Sequence, residues 1–211
     1  MQDVKQLKAR WDVAALAEAD RAFVRMDAVA AYQGKPPPFP FLSPFGEHEG
    51  RADFRCFPFG THPVNRLFER VDLSGATNER RGQLAQCCWV DCRFDRIAME
   101  TNLGQSFLRC SFVRAKLGYA TLHGDFDRCD FSHADLSRSG GGGLRFADCN
   151  FDSATLVGAN WQRARFERCM FGKARIGNAS FAHAKFVGGR PDDTQLAMAL
   201  VPGVVFEEAV A

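Results

Sequence analysis

Residues 144–186 read LRFADCNFDSATLVGANWQRARFERCMFGKARIGNASFAHAKF. A large apolar residue recurs at every fifth position of this stretch: Phe146, Phe151, Leu156, Trp161, Phe166, Phe171, Ile176, Phe181 and Phe186. Two residues before them stand Leu144, Cys149, Ala154, Ala159, Ala164, Cys169, Ala174, Ala179 and Ala184, and only Leu144 is neither Ala nor Cys. A period of five fits neither the 3.6 of an amphipathic helix nor the 2.0 of a half-buried strand. It marks a repeat architecture in which one large and one small side chain per unit face a common interior.

Units outside this stretch carry the same signature, among them Ala52-Asp53-Phe54, Ala134-Asp135-Leu136 and Ala159-Asn160-Trp161. The chain therefore resembles the pentapeptide-repeat family over roughly residues 51–189. The resemblance implies an all-β fold, a right-handed quadrilateral parallel β-helix in which four pentapeptides make one coil of 20 residues. The sequence supports that larger period by itself. Phe126, Phe146, Phe166 and Phe186 form one series, Phe131, Phe151 and Phe171 a second, and Leu136, Leu156 and Ile176 a third. The fourth reads Gly141, Trp161, Phe181, which suggests that Trp161 fills the space left at Gly141. Coils about 4.8 Å apart make roughly seven coils a rod on the order of 33 Å long.

The earlier coils are less regular. The step from Leu122 to Phe126 is one residue short, slips occur around Met99, Leu103 and Phe107, and Thr77–Gln83 forms a charged loop with Arg80 and Arg81. Residues 1–50 read as an N-terminal cap or docking segment. Its helix is predicted over 10–32 from Trp11, Leu16, Phe23, Met26 and Ala30. Pro36, Pro37, Pro38, Pro40 and Pro44 then impose an extended run whose Phe39, Phe41 and Phe45 need something to pack on. Residues 190–211 read as a C-terminal cap. Asp192 or Asp193 can N-cap a short helix through Leu200, with Val204–Phe206 available as a last strand. Some relatives dimerise through C-terminal helices, so Leu196, Met198 and Leu200 are candidate cap or dimer residues.

Little in the sequence speaks for chemistry. Six of the eight Cys (Cys87, Cys92, Cys110, Cys129, Cys149 and Cys169) occupy the small inward slot, where a free Cys acts as a small hydrophobe. Cys87, Cys88 and Cys92 lack a nearby His to complete a tetrahedral metal set. Gly140–Gly143 lacks the Gly-Lys-Ser/Thr and helix start of a phosphate loop. A four-sided rod filled by its own side chains has no cleft, so neither an enzyme, a cofactor nor a metal is expected. No stretch approaches the roughly 20 apolar residues of a membrane span. The N-terminus lacks the basic-then-apolar pattern of a secretory signal, and a cytoplasmic location is expected.

Charge points to a partner. Residues 51–189 hold 20 Lys/Arg against 14 Asp/Glu, a net of +6 in a chain of net +2. The excess lies in the last coils, making Arg145, Arg163, Arg165, Arg168, Lys173, Arg175 and Lys185 candidate partner-binding residues, either a solvated face or a surface for an anionic partner. The best-known relatives resemble B-form DNA in shape and charge and protect type II topoisomerases from inhibitors. The shape carries over, but DNA mimicry needs an acidic surface and this coil is basic. The sequence reading is a non-enzymatic scaffold that binds a protein partner through a solenoid face or the N-terminal segment. Topoisomerase protection is the alternative, with a homodimer through a terminal helix as a further expectation. Direct nucleic-acid binding is disfavoured, since few aromatics interleave with the arginines.

Overall fold

The computed structural model describes residues 3–24, 42–63 and 66–209. Eight strands stack in parallel into one wall, A: β3 (Arg66–Glu69), β5 (Leu84–Val90), β6 (Asn102–Leu108), β7 (Thr121–Asp127), β8 (Arg145–Ala147), β9 (Arg165–Glu167), β10 (Lys185–Val187) and β11 (Val205–Glu207). The other walls are held by single bridges repeating coil by coil. Wall B runs Asp72–Arg93–Ser111–Asp130–Asn150–Met170, wall C Thr77–Ala98–Lys116–Asp135–Thr155–Arg175, and wall D Thr121–Gly140–Asn160–Ser180–Leu200. Wall N–H and C=O groups thus meet the coil above or below, while corner N–H groups such as those of Ala76, Ala134 and Ala154 close turns onto Leu73, Phe131 and Phe151 of their own coil, which is why so short a unit can form a stable wall. The chain builds about eight coils, one more than the sequence pattern suggested, because residues 190–207 complete a further turn.

The interior is a set of ring stacks. In wall A, Phe68, Trp89, Phe107, Phe126, Phe146, Phe166, Phe186 and Phe206 follow one another with centroids 4.2 to 6.5 Å apart. In wall B, Phe94, Phe112, Phe131, Phe151 and Phe171 stack at 4.7 to 5.2 Å. The two stacks meet edge to face, as Phe146 does Phe151 at 5.1 Å and 81°, an arrangement that ring quadrupoles favour. The two-before slot stays small because it lies beside each corner, under these rings.

Most corners place their second residue past the large one in the left-handed region. In the B/C corner these residues are Gly75, Arg96, Arg114, His133, Ser153 and Lys173, with φ between 54° and 70°. Non-Gly residues rarely adopt this conformation, and here the ladder on both sides enforces it.

Coil length varies in the early part: 21 residues from Phe68 to Trp89, 18 to Phe107, 19 to Phe126 and 20 thereafter. The short coils lose their D/A corner, and β6 and β7 run straight from wall D into wall A. Gly104 and Gly124 permit this: a Cβ on Gly124 would stand 2.0 Å from the Gln105 carbonyl oxygen. The long coil carries the Thr77–Gln83 excursion, which Arg80 ties down through Asp20, 2.5 Å away.

The space at Gly141 is filled differently from the sequence expectation. A Cβ there would lie 2.7 Å from Leu144 Cδ1, so Leu144 fills the volume, while Trp161 stacks on Phe146 at 5.1 Å. Gly141 and Leu144, the oversized small-slot residue of the regular coils, therefore compensate each other.

At the N-terminal end the helix predicted over 10–32 is two helices, α1 (Val4–Ala9) and α2 (Val13–Val24), and residues 25–32 lie outside the described residues, as do Pro36, Pro37, Pro38, Phe39, Pro40 and Phe41. The break at Arg10–Asp12 lets the Asp12 side chain accept from Ala15 N–H and turns Arg10 onto Asp53. α2 lays Ala19 and Phe23 against the first coil, with Phe23 buried among Phe54, Phe57, Phe59 and Phe68. Trp11 donates to the Arg55 carbonyl at 2.9 Å. A hairpin of β1 (Glu47–His48) and β2 (Arg51–Asp53) pairs through β2 with β4 (Val71–Asp72). Burial opposes the charge on Asp53, but paired hydrogen bonds from Arg10 and Arg55 hold its carboxyl well below the ordinary range.

At the other end the helix is a single turn, α3 (Asp193–Leu196), with Asp192 and Gln195 closing a capping box. It stops short of Leu200 because the Met198 and Leu200 carbonyls re-enter the ladder, accepting from Asn178 and Phe181 N–H.

Candidate interaction surfaces

The seven predicted cations do not form one surface. Arg145, Arg165 and Lys185 stack in register on wall A, in line with Asp125 below and Val205 above. Arg168 stands at the A/B corner and Arg163 at the D/A corner. Lys173 stands at the B/C corner, and Arg175 lies on wall C. Most of the wall A charge is compensated. Glu167 pairs with Arg165 and with Arg145 (2.8 Å), Lys185 lies 2.6 Å from Glu207, and Arg168 makes a bidentate pair with Asp148 at 2.7 Å. The hydrogen bond from Arg165, with Arg145 beside it, holds the Glu167 carboxyl below its usual range, and Arg168 does the same to Asp148. Exposed pairs of this kind contribute little stability, but they cancel the field an anionic partner would feel.

Uncompensated cations gather elsewhere. Arg96, Arg114 and Lys173 project from left-handed positions of the B/C corner, with His133 between them. Lys116 and Arg175 flank the corner on wall C. None of the five cations forms an ion pair among the described residues. Asp95, Asp135 and Asp152 lie in the same strip without pairing to these five, so it carries five cations against three carboxylates: Asp95 accepts from Val113 N–H and lies 3.9 Å from Arg93, Asp135 accepts from Ser137 N–H and Asp152 from Gly172 N–H. Arg96 to Lys173 spans four coil steps, about 19 Å. Sequence reasoning on a fixed 20-residue step reached only Lys173 and Arg175. The signal for the others was the Phe94, Phe112, Phe131 series with steps of 18 and 19, whose second-following residues are Arg96, Arg114 and His133.

His133 and His183 stand exposed at different corners, and among the described residues no group of three or more His, Cys, Asp or Glu could hold a metal ion. Cys56, which lies outside the six inward Cys positions, is also buried, at its corner under Gly75. No described helix is long and apolar enough to cross a membrane. Of the three C-terminal candidates, Leu196 packs against the core, whereas Met198 and Leu200 are exposed in the last coil, Leu200 on wall D, with Val205 and Phe206 also exposed on wall A of that coil.

A search of curated proteins returns no match. The family described as Pentapeptide repeats (9 copies) matches residues 142–185. Among solved structures, a trypsin-treated variant of QnrB1, a plasmid-mediated fluoroquinolone resistance protein, aligns at 14% identity, covering 72% of this chain and 86% of its own with a TM-score of 0.50. HetL, involved in heterocyst differentiation regulation in the cyanobacterium Nostoc, aligns at 14% identity over 74% and 87% with a TM-score of 0.21. A pentapeptide repeat protein of the Arabidopsis thaliana thylakoid lumen aligns at 18% over 66% and 74% with a TM-score of 0.23. With the repeat matched over residues 142–185 and the four-sided coil continuing it on both sides, this chain carries pentapeptide repeats and has the fold of the pentapeptide-repeat β-helix.

Proposed function

We propose that the chain is a non-enzymatic scaffold that binds an acidic surface of a protein partner along its B/C corner. The observation carrying this reading is the contrast between corners. Arg145, Arg165, Arg168 and Lys185 are each paired with a carboxylate, whereas Arg96, Arg114, Lys116, Lys173 and Arg175 form no carboxylate pair along about 19 Å. Long-range attraction and orientation of an acidic partner depend on such uncancelled charge. The N-terminal segment is engaged with the first coil through Arg10, Trp11 and Phe23, which leaves the solenoid surface as the docking element. The exposed Met198, Leu200 and Phe206 offer a second contact, to another copy of the chain at the C-terminal end.

The test is parallel affinity capture with wild-type chain and an Arg96→Glu, Arg114→Glu, Lys173→Glu variant. A partner retained by the first at low salt and lost by the second supports the reading, and equal retention overturns it. The rival reading is protection of a type II topoisomerase, favoured by the structural likeness to QnrB1. Against it, Asp125, Asp127 and Asp130 fall on two walls, and the column above Asp125 continues as Arg145, Arg165 and Lys185. Rescue of gyrase supercoiling from a quinolone at equimolar protein would establish the rival.

A further inference from the structure

The small slot beside the A/B corner carries Val71, Cys92, Cys110, Cys129, Cys149, Cys169 and Gly189 in successive coils. The five thiols are free, buried and equivalently placed. Each Sγ lies 3.3 to 3.5 Å from two carbonyl oxygens, one two residues back in its own coil and one on the wall A residue of the coil below. Successive sulfurs are therefore related by one coil step, about 4.8 Å. Two metal–thiolate bonds of about 2.3 Å laid end to end span about 4.6 Å.

We propose that this column binds soft cations that prefer two collinear thiolates, with mercuric ion as the fitting member of the class, each ion held between two neighbouring sulfurs and no sulfur shared between ions. Zinc is disfavoured because it requires four tetrahedral ligands, and a column supplies two in line. Softness selects thiolate-seeking ions. Charge then chooses among them. Two thiols and one Hg(II) lose two S–H protons and form two S–Hg bonds, giving a neutral product. Two thiolates around Cu(I) or Ag(I) would leave a buried negative charge, which the apolar ring stacks penalise. The protons have to be displaced, since burial and the neighbouring thiols push Cys92 and Cys129 well above the usual thiol range. At the C-terminal end Gly189 closes the column above Cys169 without a side chain, beside a groove of about 470 Å³ lined by Phe186, Gly188, Gly189, Arg190 and Phe206.

A column of five predicts an odd–even rule. In a background with Cys56→Gly, Cys87→Ala and Cys88→Ala, the reduced chain refolded with mercuric chloride should bind two ions and release two protons for each. X-ray absorption should show two sulfurs near 2.3 Å per mercury. Single Cys→Ala changes at Cys92, Cys129 or Cys169 leave two adjacent pairs and should still bind two. Changes at Cys110 or Cys149 isolate one end thiol and leave a run of three that can form only one pair, and tight binding should fall to one. Ala is native to the same slot elsewhere, at Ala154 and Ala174 among others, so these variants should retain the fold, checked by circular dichroism. Equal loss from all five replacements, one sulfur per mercury, or zinc binding at equal stoichiometry would overturn the proposal.

Discussion

Truncating Phe166 to Ala tests the reading of the rod as a stack of closed coils. The ring has no exposed surface and lies between Phe146 at 5.3 Å and Phe186 at 4.6 Å, with Phe171 and Phe181 edge-on at 5.5 and 5.8 Å. Buried Phe→Ala changes cost about 3–5 kcal/mol, more where the surroundings cannot collapse. The ladders above and below hold this coil at fixed spacing, so about 4 kcal/mol is expected. Phe206 occupies the same column one coil beyond Phe186, yet it is 46% exposed and has one stacked neighbour, at 5.6 Å. Losing roughly half the buried ring area at an end free to relax should cost about 1 kcal/mol. The difference of about 3 kcal/mol is roughly 150-fold in the unfolding constant. Urea unfolding followed by circular dichroism, with the slopes of both variants compared, measures it. A cost below about 1 kcal/mol at Phe166, or no larger cost than at Phe206, would refute the packing argument.

Three further outcomes are expected. Arg10→Met should leave the buried Asp53 charge to Arg55 alone and loosen the N-terminal helices, costing about 2 kcal/mol and shifting Trp11 fluorescence. Because the Asp53 carboxyl is depressed in the folded chain, its contribution is fully present above the unfolded value near pH 4. It is lost only as pH falls further, so wild-type Trp11 emission should hold at pH 4 and change in stronger acid. Alkylation of the native chain should modify half-buried Cys88 first and leave Cys56, Cys149 and Cys169 unreacted until unfolding, read by peptide mass spectrometry. Burial raises the Cys88 thiol, so its rate should still climb near pH 9. Gly124→Ala, at φ 80° with its Cβ meeting the Gln105 carbonyl, should cost more than about 2 kcal/mol. Gly142→Ala, with nothing within 4 Å, should stay within about 0.5 kcal/mol, and thermal melts compare the two.

The five-residue alternation and its 20-residue series by themselves determined the ring columns from Phe126 onward and the inward Cys slot, and the family resemblance they carry implied the four-sided coil. A constant coil length turns a spacing along the chain into a vertical neighbour, so stacking there is legible locally. Where coils shorten to 18 and 19 residues, the vertical neighbour of Phe94 or Phe107 is chosen by ladder pairing and by the close approach at Gly104 and Gly124. Only the folded coil therefore brought Arg96 and Arg114 into line with Lys173. Tertiary structure alone also decided which charges cancel. Arg145, Arg163 and Arg175 look alike in sequence, and what separates them is whether a carboxylate such as Glu167 stands within reach across one coil step. Likewise Gly141 and Leu144 read separately as a gap and an exception. They became one packed unit only when the wall closed, because filling a volume depends on everything that borders it.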